Sequence, residues 1–220
     1  PLLSRSLSSN SGTWNVGAEL PTQKMLHRFL FDGAVPGEKK PDVVLLGFQE
    51  VVELSPQNIL LGGASVQCNT NTEKLISAVE TAVNSVYGGR DAGQEFALAA
   101  AERIVGLVGL VFVRHALLVD NSLSNIRTKC IALGKVKGLG KKSALGNKGA
   151  VCVSFTMFHS TSICFVTSHI AAHRKKVRYI IYSLIYLMGI HWIIYILGTE
   201  VPLVKPGVLL PVPRIHELNT

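Results

Sequence analysis

The chain has 220 residues, 48% of them apolar, with 22 basic against 14 acidic side chains and a formal charge of +8. That apolar content excludes global disorder, and the length allows one domain with a sizeable core. Cysteines at 68, 130, 152 and 164 fit neither a CxxC metal site nor a disulfide scaffold; with no Asn-x-Ser/Thr acceptor, they suit a reducing, cytosolic setting.

In chain order, Gly12-Thr13-Trp14-Asn15-Val16 reads as a short strand ending in a polar turn. Asp42–Phe48 (DVVLLGF) is an apolar run between Pro41 and Gln49-Glu50, the pattern of a strand buried on both faces. Thr70–Val86 is expected to be a helix. Thr70 and Glu73 have capping-box spacing, Leu75, Ile76, Val79, Val83 and Val86 share one face, and Gly88-Gly89 ends it. Ile104–Val113 is strand-like, and another strand is expected within Leu123–Val136. Gly138–Gly149 holds four glycines and reads as a loop. Val151–Phe158 and Ser162–Thr167 are β-prone runs joined by His159-Ser160-Thr161 as a hairpin, with Cys152 and Cys164 as small buried hydrophobes. Strands with interspersed helix make a layered α/β or α+β domain.

The chain then changes character. Tyr179–Gly198 is twenty residues without a charge. At about 1.5 Å per residue a helix of that length spans about 30 Å, the thickness of a bilayer core. Arg174, Lys175, Lys176 and Arg178 before it would keep its N-terminal side cytoplasmic. Pro202, Pro206, Pro211 and Pro213 follow in a tail with no expected regular structure. The run is read as a membrane span, as a buried helix, or as sequence foreign to the domain through a gene-model error.

The positive charge is local. Lys135, Lys137, Lys141, Lys142 and Lys148 lie in one acid-free segment, which points to an anionic partner: a phosphate ligand, an anionic lipid or nucleic acid. Four polar positions stand at the ends of β runs, where layered α/β sheets collect ligands. Asn15 is either a turn asparagine or an amide beside a metal or phosphate. Glu50 is either a solvated strand end or a carboxylate placed for a hard cation. Asn147-Lys148 is either a basic hairpin tip or a phosphate contact in a glycine-rich context that lacks the Walker pattern. His169 is either structural or a hydrogen-bond donor to a phosphate. Converging, the four suit a metal-phosphate site.

The order TWNV, PDVVLLGFQEVVEL, GNKGAV and FHSTSICFVTSHIAAH, from Ser11 to Lys176, resembles the inositol polyphosphate 5-phosphatases of the endonuclease/exonuclease/phosphatase fold. The resemblance implies a four-layered α/β sandwich that removes the 5-phosphate from a phosphoinositide lipid or a soluble inositol polyphosphate. It implies Glu50 as the Mg²⁺ ligand, Asn15 in the metal and phosphate shell, Asn147 and Lys148 as substrate contacts, and His169 polarising the scissile phosphate. The attack is in-line, by water, with no covalent phosphoenzyme. Nucleic acid is not expected, because GNKG and SHIAAH depart from the nucleases of this fold. The Lys135–Lys142 segment is expected to face an anionic head group or membrane surface, making the protein cytoplasmic and peripherally attached, or integral through 179–198.

The family's GDxNYR, DRILW and late Ser-Asp-His motifs do not follow His173. The expectation is therefore an incomplete sandwich over residues 1–178, weakly active or inactive, with 179–220 as an apolar, proline-rich tail. A chain beginning at Pro1 is also expected to start inside a longer product. The alternative reading is a non-catalytic, membrane-associated phosphoinositide-binding fragment.

Overall fold

The computed structural model of the chain describes residues 7–31, 40–53, 66–88, 95–133, 148–169 and 193–199. Two four-stranded sheets lie face to face. The first runs β1 (Ser9–Asn15), β2 (Val43–Gln49), β4 (Leu107–Arg114), β3 (Phe96–Ile104). The second runs β5 (Leu123–Leu133), β6 (Lys148–Met157), β7 (Thr161–His169), β8 (Ile193–Thr199). Helices α1 (Gln23–Phe31) and α2 (Val66–Tyr87) cover the outer face of the first sheet, and a short α3 (His115–Val119) leads from β4 towards β5. The expected α/β sandwich is thus met in a helical layer and two packed sheets.

β2 explains why its sequence is a continuous apolar run. All seven of its residues are buried. Val44, Leu46 and Phe48 face Leu26 and Leu30 of α1 and Leu75, Val79 and Val83 of α2. Val43 and Leu45 point the other way, into a core shared with Val111, Val153, Phe155 and Phe165 of both sheets. Each such side chain, fully buried, contributes about 1.5–3 kcal/mol of transfer free energy. β1 pairs with β2 in parallel and β7 with β8 in parallel, while the other neighbours are antiparallel. Across the sandwich β1 stands over β8 and β2 over β7.

Several boundaries differ from those the sequence suggests. α2 begins at Val66, so Thr70 and Glu73 sit inside the helix and form no N-terminal box. The first turn is secured instead by tertiary packing: Cys68 is buried with Val52 and Val105. The expected strand Ile104–Val113 is the turn of a hairpin plus β4. Gly106, at φ 69°, permits the left-handed turn, and β3 precedes it. α1 was not foreseen, although Thr22 caps it, its Oγ1 accepting the Met25 N–H at 3.4 Å.

The charge-free run expected as a helix over 179–198 is corrected over its last residues. Ile193–Thr199 forms β8, paired from Ile193↔Ile163 to His169↔Thr199. Its β-branched and aromatic run (IIYIL) suits a strand inside a parallel pair as well as it suits lipid. Residues 179–192 lie outside the described residues. Among the described residues no helix is long and apolar enough to cross a membrane. Cys152 and Cys164 are buried free thiols, as expected. Hydrogen bonding to Cys152, burial and their mutual charge repulsion all push the Cys164 thiol far above its ordinary range.

Candidate active site

Three of the sequence-selected side chains meet at one end of the sandwich. β2 ends at Gln49, and the next residue, Glu50, turns its carboxylate towards the second sheet from a left-handed backbone at φ 54°. β7 ends at His169, whose Nε2 lies 3.5 Å from Glu50 Oε1. Lys148 opens β6, and its Nζ contacts the same His169 Nε2. The register explains the meeting, because Gly149 is the partner of His169 across β6 and β7. His169 is almost fully buried, and Glu50 is about one-third exposed at 33%.

The chemistry of this trio is constrained by proton count. The Lys148 ammonium can only donate, so a bond to Nε2 requires the lone pair there and places the neutral ring's proton on Nδ1. Nε2 can donate to Glu50 only when Lys148 is drawn elsewhere. An anion arriving beside Lys148 would free the Nε2 lone pair, and Nε2 becomes a donor once it takes up a proton from water. The arrangement is therefore a cation, a switchable donor and a carboxylate around one opening.

Asn15 ends β1, in register with Gln49 and so one residue from Glu50. Its Oδ1 accepts the Gly17 N–H at 3.1 Å, which is the turn role, and it remains on the exposed rim. The turn is tied to β2 through Val16 N–H to Gln49 O at 2.9 Å and Ala18 N–H to Glu50 O at 2.7 Å. Asn147 and the Lys135–Lys142 segment lie outside the described residues. Gly149 owes its residue type to packing within the sheet: a Cβ there would stand 2.1 Å from Ile131 O.

Does this donor set fit a divalent cation? Among the described residues no three His, Cys, Asp or Glu side chains form a closed cage. A small hard cation does not need one; it takes one or two carboxylates and completes its shell with water and phosphate oxygens. Glu50 fits that pattern, and Asn15 has a second lone pair on Oδ1. Two other described histidines lie elsewhere: His115 pairs with Glu95 at 3.7 Å, and His159 lies in the exposed β6–β7 turn. A groove of about 690 Å³ between α1 and α2, lined by Lys24, His27, Arg28 and Phe31, holds none of the site residues.

Two residues of the site's surroundings were not signalled by sequence. Gln49 and Thr167 are both fully buried, and Gln49 Nε2 reaches Thr13 Oγ1 at 2.9 Å and Thr167 Oγ1 at 3.5 Å. The signal available was a polar residue continuing the two-residue alternation of β2 past Phe48.

The family model described as Endonuclease/Exonuclease/phosphatase family 2 matches residues 12–182, slightly beyond the Ser11–Lys176 range of the motifs. Human synaptojanin-1 is 34% identical over 185 residues, covering 76% of this chain and 10% of that protein. The type I inositol polyphosphate 5-phosphatase 8 of Arabidopsis thaliana is 28% identical over 196 residues, 75% of this chain and 37% of its own length. The chain thus spans 10% to 37% of the length of these curated relatives. Among solved structures, the inositol polyphosphate 5-phosphatase domain of SPsynaptojanin, in complex with inositol (1,4)-bisphosphate and calcium ion, has a TM-score of 0.56 at 24% identity. It covers 76% of this chain and 41% of that one, a likeness of fold.

Proposed function

Since the chain belongs to endonuclease/exonuclease/phosphatase family 2, we propose that it acts on inositol phosphates, as a Mg²⁺-dependent hydrolase that removes the 5-phosphate of a phosphoinositide lipid or a soluble inositol polyphosphate. The observation that carries the reading is the convergence of Glu50, His169 and Lys148 at one end of the two sheets. The relatives named inositol polyphosphate 5-phosphatases, and the inositol bisphosphate in the SPsynaptojanin domain, support the choice of substrate class.

In this reading Glu50, with Asn15 beside it, would hold the Mg²⁺, which when bound neutralises charge on the phosphoryl oxygens. Lys148 supplies a point charge for the same phosphate. As Lys148 turns to the phosphate it leaves Nε2, and His169, once Nε2 has taken up a proton from water, donates there to an oxygen of the group being transferred. By its place in the GNKG motif, Asn147 would share this contact. Lys135–Lys142 would hold the head group's other phosphates or the anionic surface that carries it.

A second reading has its own support. Among the described residues of β8, Thr199 is in register with His169 and Gly198 precedes it, so neither of these two positions offers a carboxylate to activate water. The absence of such a base typically removes about 10²–10⁴-fold in rate. Slow hydrolysis, or phosphoinositide binding without hydrolysis, follows.

Phosphate release by the 220-residue chain decides between them, measured with Mg²⁺ on inositol 1,4,5-trisphosphate and on vesicles carrying phosphatidylinositol 4,5-bisphosphate. Slow release that disappears with Glu50→Ala supports the hydrolase. Binding to either ligand without release supports the binder. Neither binding nor release, from a folded chain, removes both readings.

A further inference from the structure

Just beneath the candidate site the two sheets come unusually close. Gly47 of β2 and Gly109 of β4 are register partners, and both lack side chains where Thr167 of β7 faces them. A Cβ on Gly47 would stand 2.1 Å from Thr167 Oγ1, and one on Gly109 would stand 3.0 Å from Thr167 Cγ2. One level lower the gap is filled by Leu45, Val111 and Phe165, as in ordinary face-to-face sheets. The sandwich therefore narrows at the end that carries Glu50 and His169.

A polar group sits in the narrowing. Gln49 is fully buried between the sheets. Its Nε2 donates to Thr13 Oγ1 at 2.9 Å on β1 and reaches Thr167 Oγ1 at 3.5 Å across the sandwich; Thr13 Oγ1 lies 3.3 Å from Gln49 Oε1. Gln49 directly precedes Glu50 and Thr167 stands two residues before His169, on the same face of β7. An apolar residue at 49 would fill the space without the cost of desolvating an amide. What an amide adds is a directional link between the two strands that end in the site.

We infer that Gln49 is a positioning residue: its bonds to Thr167 and Thr13, made possible by the Gly47–Gly109 notch, fix the gap across which Glu50 and His169 face a bound cation and phosphate. The inference rests on the reading of Glu50 as the metal ligand. Gln49 touches neither ligand; it acts through the two strand ends.

The test uses Mn²⁺ as the probe, with binding to the full 220-residue chain followed by electron paramagnetic resonance, so no turnover is needed. Gln49→Met keeps volume and removes the amide; Thr167→Val keeps shape and removes the hydroxyl; Thr167→Ser keeps the hydroxyl. Gln49→Met and Thr167→Val are each expected to weaken Mn²⁺ binding about 10-fold or more. The double variant should be no weaker than Gln49→Met alone, because the link that Thr167→Val breaks is already gone there. Thr167→Ser should stay close to wild type. Tyr87→Phe, remote from the site, is the control for general loosening and should leave binding unchanged. Wild-type binding by Gln49→Met and Thr167→Val overturns the inference, and so does an equal loss in Tyr87→Phe at a matched fall in melting temperature. If Gln49→Met does not fold, the Thr167 pair decides by the same criteria. A wild-type chain that binds no Mn²⁺, or a Glu50→Ala chain that binds it normally, overturns the reading of Glu50 itself. Binding lost in Glu50→Ala but kept in the Gln49 and Thr167 variants overturns the inference alone.

Discussion

Glu50 presents its carboxylate from a backbone that few side chains tolerate. At φ 54° a residue with a Cβ is disfavoured by about 1–2 kcal/mol relative to glycine's freedom there. The surrounding structure enforces the conformation through the Ala18 N–H bond to Glu50 O. Strain at a strand end that also faces His169 marks a position held for chemistry rather than stability. Glu50→Gly is therefore expected to be neutral or to stabilise the fold by up to about 1 kcal/mol, because relief of strain is partly offset by the glycine's unfolded-state entropy. Urea unfolding measures this directly. A clear loss of stability would show that the carboxylate is a structural ion-pair partner of His169. The sequence showed Glu50, Lys148 and His169 as polar ends of apolar runs, and that was enough to select them. It did not show Gln49 or Thr167, because both strands run on past the apolar stretch that marks them, and polar residues there look solvated. Nor did it separate Asn15's two readings, since an amide oxygen spent on the Gly17 turn is invisible without coordinates.

At the scale of elements, one side chain ties three of them together. Tyr87, on the last turn of α2, donates its hydroxyl to Leu30 O of α1 at 2.6 Å and accepts from Asn10 Nδ2 of β1. Burial raises its phenol above the ordinary value of 10.0, and the Asn10 bond lowers it in part. A raised folded value means that the stability tied to the neutral phenol is fully present below the unfolded pKa of 10.0 and is lost as pH rises through the folded one. Tyr87→Phe should cost about 1–3 kcal/mol at neutral pH by stranding the Leu30 carbonyl and the Asn10 amide. The difference from wild type should shrink above about pH 10, where only the wild type must hold a phenol neutral. Urea titrations of both proteins at neutral and alkaline pH give that comparison, and a gap that stays constant would mean that the phenol is solvated. The long amphipathic helix carrying Tyr87 was legible from its periodicity. α1 was not, since only nine residues and a Thr22 cap announce it. β3 was hidden by its alanines, which favour helix when read alone and are placed in a strand by pairing with β4.

For the whole molecule the proposal to test is contact between a chain of charge +8 and an anionic lipid surface. The basic residues and the apolar run at 179–198 predict opposite behaviours. Attraction through lysines and arginines is screened: the Debye length falls from about 10 Å at 0.1 M salt to about 3 Å at 1 M. Insertion of an apolar segment is not weakened by salt. Insertion also competes with the fold for the same residues, because Ile193–Thr199 supplies the backbone that pairs with Ile163–His169 of β7. A helix through the bilayer would have to strip β8 from the second sheet and leave the edge of β7, next to His169, without its partner. Peripheral electrostatic contact leaves the sandwich intact and is the mode the fold favours. Co-sedimentation with anionic vesicles should accordingly be strong at about 0.1 M salt and lost near 1 M, while vesicles of neutral lipid should not retain the chain. Retention that survives high salt, together with loss of Mn²⁺ binding on the membrane, would show that β8 leaves the sheet to insert. In that case the site and the membrane anchor are alternative states of one segment.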